Sequence, residues 1–205
     1  MLYLIDGVKI VTFAGNTPVT HDGFLNPLQL QVAAAIETSW VDVPICGNWF
    51  GDAGAGGAGW VEDWAYNRGD GTTIHVLKTL GPAVARYAYI NLHGDPRFRP
   101  GSVIEAIHVM TGGSTTGAGK INLIRQEKMV DTGQYPGGET TVVEVAGTAD
   151  DPFGGGSPYN YKLVSKTGIS HTILGNNGYS IQVISPTANA YLVGCRIQVK
   201  YPITT

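Results

Sequence analysis

Ala190-Tyr191-Leu192-Val193-Gly194-Cys195-Arg196-Ile197-Gln198-Val199-Lys200-Tyr201 is the stretch from which the fold can be read. Val193, Cys195, Ile197, Val199 and Tyr201 share one parity, and Gly194, Arg196, Gln198 and Lys200 the other. Successive side chains of a strand point to opposite faces, so this run has one dry and one wet face. Upstream lies a second run, Tyr179-Ser180-Ile181-Gln182-Val183-Ile184, set off by Ser185-Pro186-Thr187-Ala188-Asn189. Two such runs joined by a short polar connection predict a β-hairpin, with the remaining chain covering its dry face. Cys195 falls on the dry parity and is expected to be a buried free thiol, with a bridge to Cys46 left open.

Working outward, the same punctuation recurs. Leu2 to Phe13 reads as a strand pair broken at Asp6-Gly7, a favoured tight turn. Leu28 to Ile36 fits a short helix after Asn26-Pro27 or a strand alternating with Gln29 and Gln31. Further strands are expected at Trp40 to Ile45, Thr72 to Leu80, Val84 to Leu92, Val103 to Met110, Ile121 to Lys128, Val142 to Val145, Tyr161 to Val164 and Ile169 to Leu174. Pro44 argues for an edge position in the first of these. About ten short strands separated by Gly, Pro and Asn turns predict an all-β fold, a jelly-roll-like antiparallel β-sandwich with long Gly-rich loops. No linker divides the 205 residues, so one domain over 1–205 is expected. The packing of segment 1–82, with its Trp- and Gly-rich loop at 46–71, does not follow from the pattern.

Composition excludes several classes of partner. Only 14% of residues are charged and 29 are Gly, against roughly 25% and 7% in ordinary globular chains. Such a chain suits a surface partly covered by neighbours. The net charge of -3, with 13 scattered Lys and Arg, gives no footprint for nucleic acid or an anionic membrane. No run approaches the roughly 20 apolar residues of a membrane helix, and Met1 to Asp6 lacks the features of a signal peptide. Synthesis and retention in a cytoplasm are expected.

No motif points to catalysis, a cofactor or a metal. Gly54 to Gly59 matches the dinucleotide fingerprint by letter only, because no strand and helix flank it. Gly117-Ala118-Gly119-Lys120 lacks the first glycine and the Ser/Thr of a P-loop and reads as a hairpin loop. Arg68-Gly69-Asp70 reads as a loop tip. His93 and Asp95 can be drawn into a triad with Ser102 or Ser114, but no nucleophile elbow supports it. Asp150 and Asp151, a formal pair for calcium or glycoside cleavage, read as a solvated turn. His21, His75, His93, His108 and His171 show no ligand spacing, and Cys46 and Cys195 form no C-x-x-C, so zinc is not expected.

The feature above background is aromatic. Trp40, Trp49, Trp60 and Trp64 fall in one window with Phe50 and Tyr66, interleaved with Gly and Ala. Aromatic rings on loops stack on sugars or anchor protein interfaces, and the alternative is burial as a lid on the sandwich. Trp49, Phe50, Trp60, Trp64 and Tyr66 are the candidate interface or binding residues.

In Asp95-Pro96-Arg97-Phe98-Arg99-Pro100-Gly101-Ser102-Val103-Ile104-Glu105-Ala106-Ile107-His108-Val109 a Pro-Gly turn launches an alternating strand, and the run Ala190 to Tyr201 closes the chain with another. On these stretches residues 83–205 resemble the small jelly-roll subunits of tailed-bacteriophage particles. The resemblance implies a non-enzymatic virion protein, a capsid decoration (cement) subunit acting as a homotrimer on a lattice of major capsid protein. A tail-fibre or spike tip, or a carbohydrate-binding module using the Trp window on a surface glycan, is the alternative.

Overall fold

The alternating runs fold as strands. The computed structural model describes residues 3–5, 8–10, 36–51, 59–66, 73–80, 86–113, 119–127, 138–153, 157–185 and 190–202. Contacts group the chain into two units, Met1–Ala35 with Ile203–Thr205, and Ile36–Pro202. In the first, β1 (Tyr3–Ile5) pairs antiparallel with β2 (Val8–Ile10), with Ile5 opposite Val8. The choice between helix and strand over Leu28 to Ala35 lies outside the described residues.

The second unit holds β3 (Ile36–Val43), β4 (Trp49–Gly51), β5 (Trp60–Tyr66), β6 (Thr73–Thr79), β7 (Arg86–Asn91), β8 (Val103–Gly113) and β9 (Lys120–Glu127). After them come β10 (Glu139–Ala146), a 3-10 turn at Thr148–Asp150, β11 (Ser157–Thr172), β12 (Asn177–Ser185) and β13 (Ala190–Pro202). One sheet has the order β10-β9-β12-β7-β4, the other β11-β8-β13-β6-β5 with β3 also on β13. All pairings are antiparallel. Ile90, Leu123, Ile181 and Val183 of the first sheet and Leu77, Ile107, Val109 and Ile197 of the second share one buried cluster. The unit is an antiparallel β-sandwich. Each aliphatic side chain in that layer contributes about 1.5–3 kcal/mol of burial, which is why one parity of every central strand is apolar.

Four expectations are corrected by the pairing. The closing runs are not a hairpin. Both edges of β12 are taken by β9 and β7, and β13 lies between β8 on one side and β3 and β6 on the other, so Ser185 ends a strand of one sheet and Ala190 begins a strand of the other. Gly117 to Lys120 closes no hairpin either, because β8 and β9 belong to different sheets. Alternation fixes which face a residue takes but not which strand it pairs with. The runs Tyr161 to Val164 and Ile169 to Leu174 are joined in one long β11, with a register shift between Thr167 and His171. Gly168 and Ser170 in that gap have φ of 69° and 53°, so the interval between the two expected strands is a bulge. Lastly, the Gly-rich segment expected as a loop contains β4 and β5.

The turn expected at Pro100-Gly101 is present. Gly101 has φ of 88°, a conformation costly for any side chain, and its N–H donates to the Ile173 carbonyl at 2.9 Å. This turn launches β8 beside the end of β11. Asp150 keeps its carboxylate within the 3-10 turn, where Oδ2 accepts the Gly147 N–H at 2.7 Å. Both cysteines are free, and burial, with the Asp42 charge second, pushes the Cys195 thiol up to about 12.

Candidate binding face

The aromatic window divides between core and surface. Trp60 is only 3% exposed, and its ring lies 6.3 Å from that of Phe153. It serves the core. Trp49 packs half-buried against the same core, and its indole N–H donates to Glu62 Oε1 at 2.9 Å. Phe50, the next residue, alternates to the opposite face and is 51% exposed. On β5, Trp64 pairs with His75 and Tyr66 with Thr73, while the side chains of Trp64 and Tyr66 lie outside the described residues.

Phe50 begins a row that crosses the outer face of the five-stranded sheet. It is registered on Tyr89 of β7, Tyr89 on Gln182 of β12, Gln182 on Asn122 of β9 and Asn122 on Glu144 of β10. Four interstrand gaps of 4.7–4.9 Å make this row roughly 19 Å long. The Phe50 and Tyr89 rings stack at 4.8 Å and 7°, and Tyr87 lies 6.5 Å from Tyr89 at 13°. The polar half of the row is tied together. Asn122 Nδ2 donates to Gln182 Oε1 at 2.9 Å, and Gln182 Nε2 donates to Tyr89 Oη at 3.4 Å and to Glu139 Oε1. Gln182 faces away from the core and is still only 4% exposed, because these neighbours cover it. Tyr89 Oη accepts from Gln182 and is hydrogen-bonded to the Glu139 carboxylate as well. Burial chiefly, then the Glu139 charge, outweighs the Gln182 hydrogen bond and raises the phenol above its usual range. The result is a rigid strip with exposed aromatic surface at one end and fixed donors and acceptors beside it.

No protein-family model matches this sequence, and no curated protein matches it. Solved structures similar to it include the C-terminal CBM6 of LamC, a marine laminarinase from Zobellia galactanivorans, at 12% identity and TM-score 0.38, covering 78% of this chain and 98% of that one. The CBM22-1 and GH10 modules of the Clostridium thermocellum endo-1,4-β-D-xylanase, complexed with xylohexaose, align at 10% identity and TM-score 0.41, over 81% of this chain and 26% of that chain. The Tobacco streak virus coat protein aligns at 11% identity and TM-score 0.31, over 79% and 92% of the two chains. Similarity at this level says nothing about what this chain binds.

The triad drawn from sequence is not assembled: the Asp95 carboxylate takes the Arg97 guanidinium at 2.6 and 2.9 Å, and His93 Nε2 accepts the Tyr179 N–H. The Arg97 hydrogen bond holds Asp95 below the usual carboxylate range. Ser102 Oγ is buried without a partner among the described residues, and Ser114 lies outside them. A cavity of about 470 Å³ beside His93 and Asp95 is lined also by Val43, Asn48, Leu92 and Phe98. Asn48 spends its amide N–H groups on the Pro44 and Asn91 carbonyls.

The outer face of the six-stranded sheet carries a cluster that the motif survey missed. The Arg196 guanidinium lies 4.5 Å over the Trp40 ring, which lies 4.3 Å from His108. Leu163 and Met110, opposite each other on β11 and β8, are 56% and 40% exposed. The signal was present in the alternation, since Met110, His108 and Arg196 all occupy the wet parity of their strands.

Proposed function

We propose that the chain is a non-catalytic β-sandwich module that binds a neutral polysaccharide on the outer face of its five-stranded sheet. The observation that carries this reading is the row from Phe50 through Tyr89 to the Gln182–Asn122–Glu139 network. A sugar ring has an apolar C–H face and a rim of hydroxyls. Phe50 offers aromatic surface to the first, and the exposed Glu139 carboxylate, held by Gln182, offers acceptors to the second. The network is already fixed, so binding costs little ordering of side chains. Glu139 and Glu144 on the same face oppose an anionic ligand.

Affinity electrophoresis through gels containing single neutral polysaccharides tests this. At least one polysaccharide retards the chain, and Phe50→Ala weakens that binding by about tenfold or more, the scale of a stacking contact worth roughly 1.4 kcal/mol. Migration unaffected by every neutral polysaccharide would remove the reading.

The resemblance of residues 83–205 to phage jelly-roll subunits supports placing such a module on a virion, as a fibre or spike tip that meets a surface glycan. A second reading, the decoration (cement) homotrimer on a capsid lattice, is favoured by the other face. Met, Trp and Arg are enriched at protein interfaces, and Met110, Trp40 and Arg196 lie there with exposed Leu163. Threefold closure buries such a patch without open-ended assembly. Sedimentation of the purified chain gives a trimer that Leu163→Glu dissociates on this reading. A monomer at micromolar concentration contradicts it.

A further inference from the structure

Three segments distant in sequence bring a sulfur, an oxygen and a nitrogen donor together. Cys46 lies in the turn after β3, Glu62 on β5 and His75 on β6, and their ligand atoms all lie within 4.8 Å of one another. Glu62 is aimed by its neighbours. Its Oε1 accepts the Gly47 N–H at 2.6 Å and the Trp49 indole N–H at 2.9 Å, while Oε2 stands 3.5 Å from His75 Nε2. Metal-binding carboxylates are held in this way by hydrogen bonds from outside the coordination sphere. Zinc bonds of about 2.3 Å to sulfur and 2.0–2.2 Å to nitrogen or oxygen place tetrahedral ligands roughly 3.3–3.6 Å apart. The Glu62–His75 separation already fits one ion, and bringing Cys46 into the same sphere needs about 1 Å of closure.

An ion pair accounts for Glu62 and His75 but not for the thiol beside them. Thiolate with imidazole and one carboxylate favours zinc over magnesium or calcium, which take oxygen donors. We propose that Cys46, Glu62 and His75 form a zinc site with a fourth position left to water, tying the turn after β3 to the β5–β6 pair. As the zinc–sulfur bond forms, the thiol proton passes to the buffer. Through Glu62 the ion also steadies Trp49, the neighbour of Phe50, although the site stands independently of polysaccharide binding.

The test uses the full chain, freed of metal by a chelator, titrated with zinc(II) by calorimetry and with cobalt(II) by absorption. One ion binds per chain, a thiolate-to-cobalt charge-transfer band appears, and saturating zinc raises the thermal midpoint. Cys46→Ser removes the band and His75→Ala weakens zinc binding by about tenfold or more. Glu62→Gln keeps an acceptor for Gly47 and Trp49 but removes the charge, so it weakens zinc without unfolding the turn. Cys195 is buried in the core and contributes no thiolate. Absence of saturable uptake, a band that survives Cys46→Ser, or equal zinc affinity in the folded Glu62→Gln and wild-type chains would overturn the site.

Discussion

Trp60→Ala is expected to lower the free energy of unfolding by about 3–5 kcal/mol, the range for removing a large aromatic from a core. Trp60 starts β5 inside the Gly-rich segment, packs toward Phe153 and shares the buried cluster with Leu77 and Leu192. Truncation leaves a void that β5 cannot move in to close, because it is held to β6 along its whole length. The indole N–H of Trp60 is buried and has no partner among the described residues, so the side chain already carries a desolvation cost. Trp60→Phe keeps most of the ring and discards that N–H, and is expected to cost far less than Ala. Urea unfolding followed by circular dichroism measures both. A loss below about 1 kcal/mol for Trp60→Ala, typical of surface positions, would move the ring out of the core.

Ile197→Ala carries the second large effect, about 2–5 kcal/mol. Ile197 is fully buried on β13, opposite Ile107 of β8 on one side and Val41 of β3 on the other. Both neighbouring strands are fixed by hydrogen-bond ladders, so the site has little freedom to collapse around the missing atoms. Lys200, on the same strand and of the wet parity, is exposed and supplies the control. Its replacement by Ala is expected to stay within about 0.5 kcal/mol. Equal losses at the two positions would contradict the assignment of faces along β13.

The alternation that separates Ile197 from Lys200 was legible in the residues, and so was the sandwich built from such strands. Strand partners were not. Tyr179 to Ile184 and Ala190 to Tyr201 carry the same period whether they pair with each other or lie in opposite sheets, and local sequence contains no term that distinguishes the two. Pro186 interrupts the connection in either case. The β5 strand was hidden for a different reason: the Gly and Ala at 51–59 dominate the composition of the window, although Trp60, Glu62 and Trp64 alternate with Val61, Asp63 and Ala65.

The candidate strip was half visible. Phe50 was one of the window aromatics, but its partners lie 39 and 132 residues further on, at Tyr89 and Gln182, counting along the chain. A signal for them existed. Tyr87, Tyr89 and Asn91 alternate with Ala88 and Ile90, so two tyrosines occupy the face that a core strand turns outward. The Cys46, Glu62 and His75 cluster has no ligand spacing to find, because three segments contribute one donor each. Only the folding of β5 against β6 and the Gly47 turn brings them together.

The proposed function puts a neutral polysaccharide on the outer face of the five-stranded sheet, on Phe50 and its tied neighbours. Isothermal calorimetry with the polysaccharide that most retards the chain, run on wild type, Phe50→Ala and Gln182→Ala, tests it most directly. Saturable binding is expected that falls by about tenfold or more in Phe50→Ala and also falls in Gln182→Ala, which frees Tyr89 and Glu139 from their common donor. No change is expected in Leu163→Glu, whose substitution lies on the other sheet. Binding of equal strength in wild type and Phe50→Ala, with both chains folded, would contradict it.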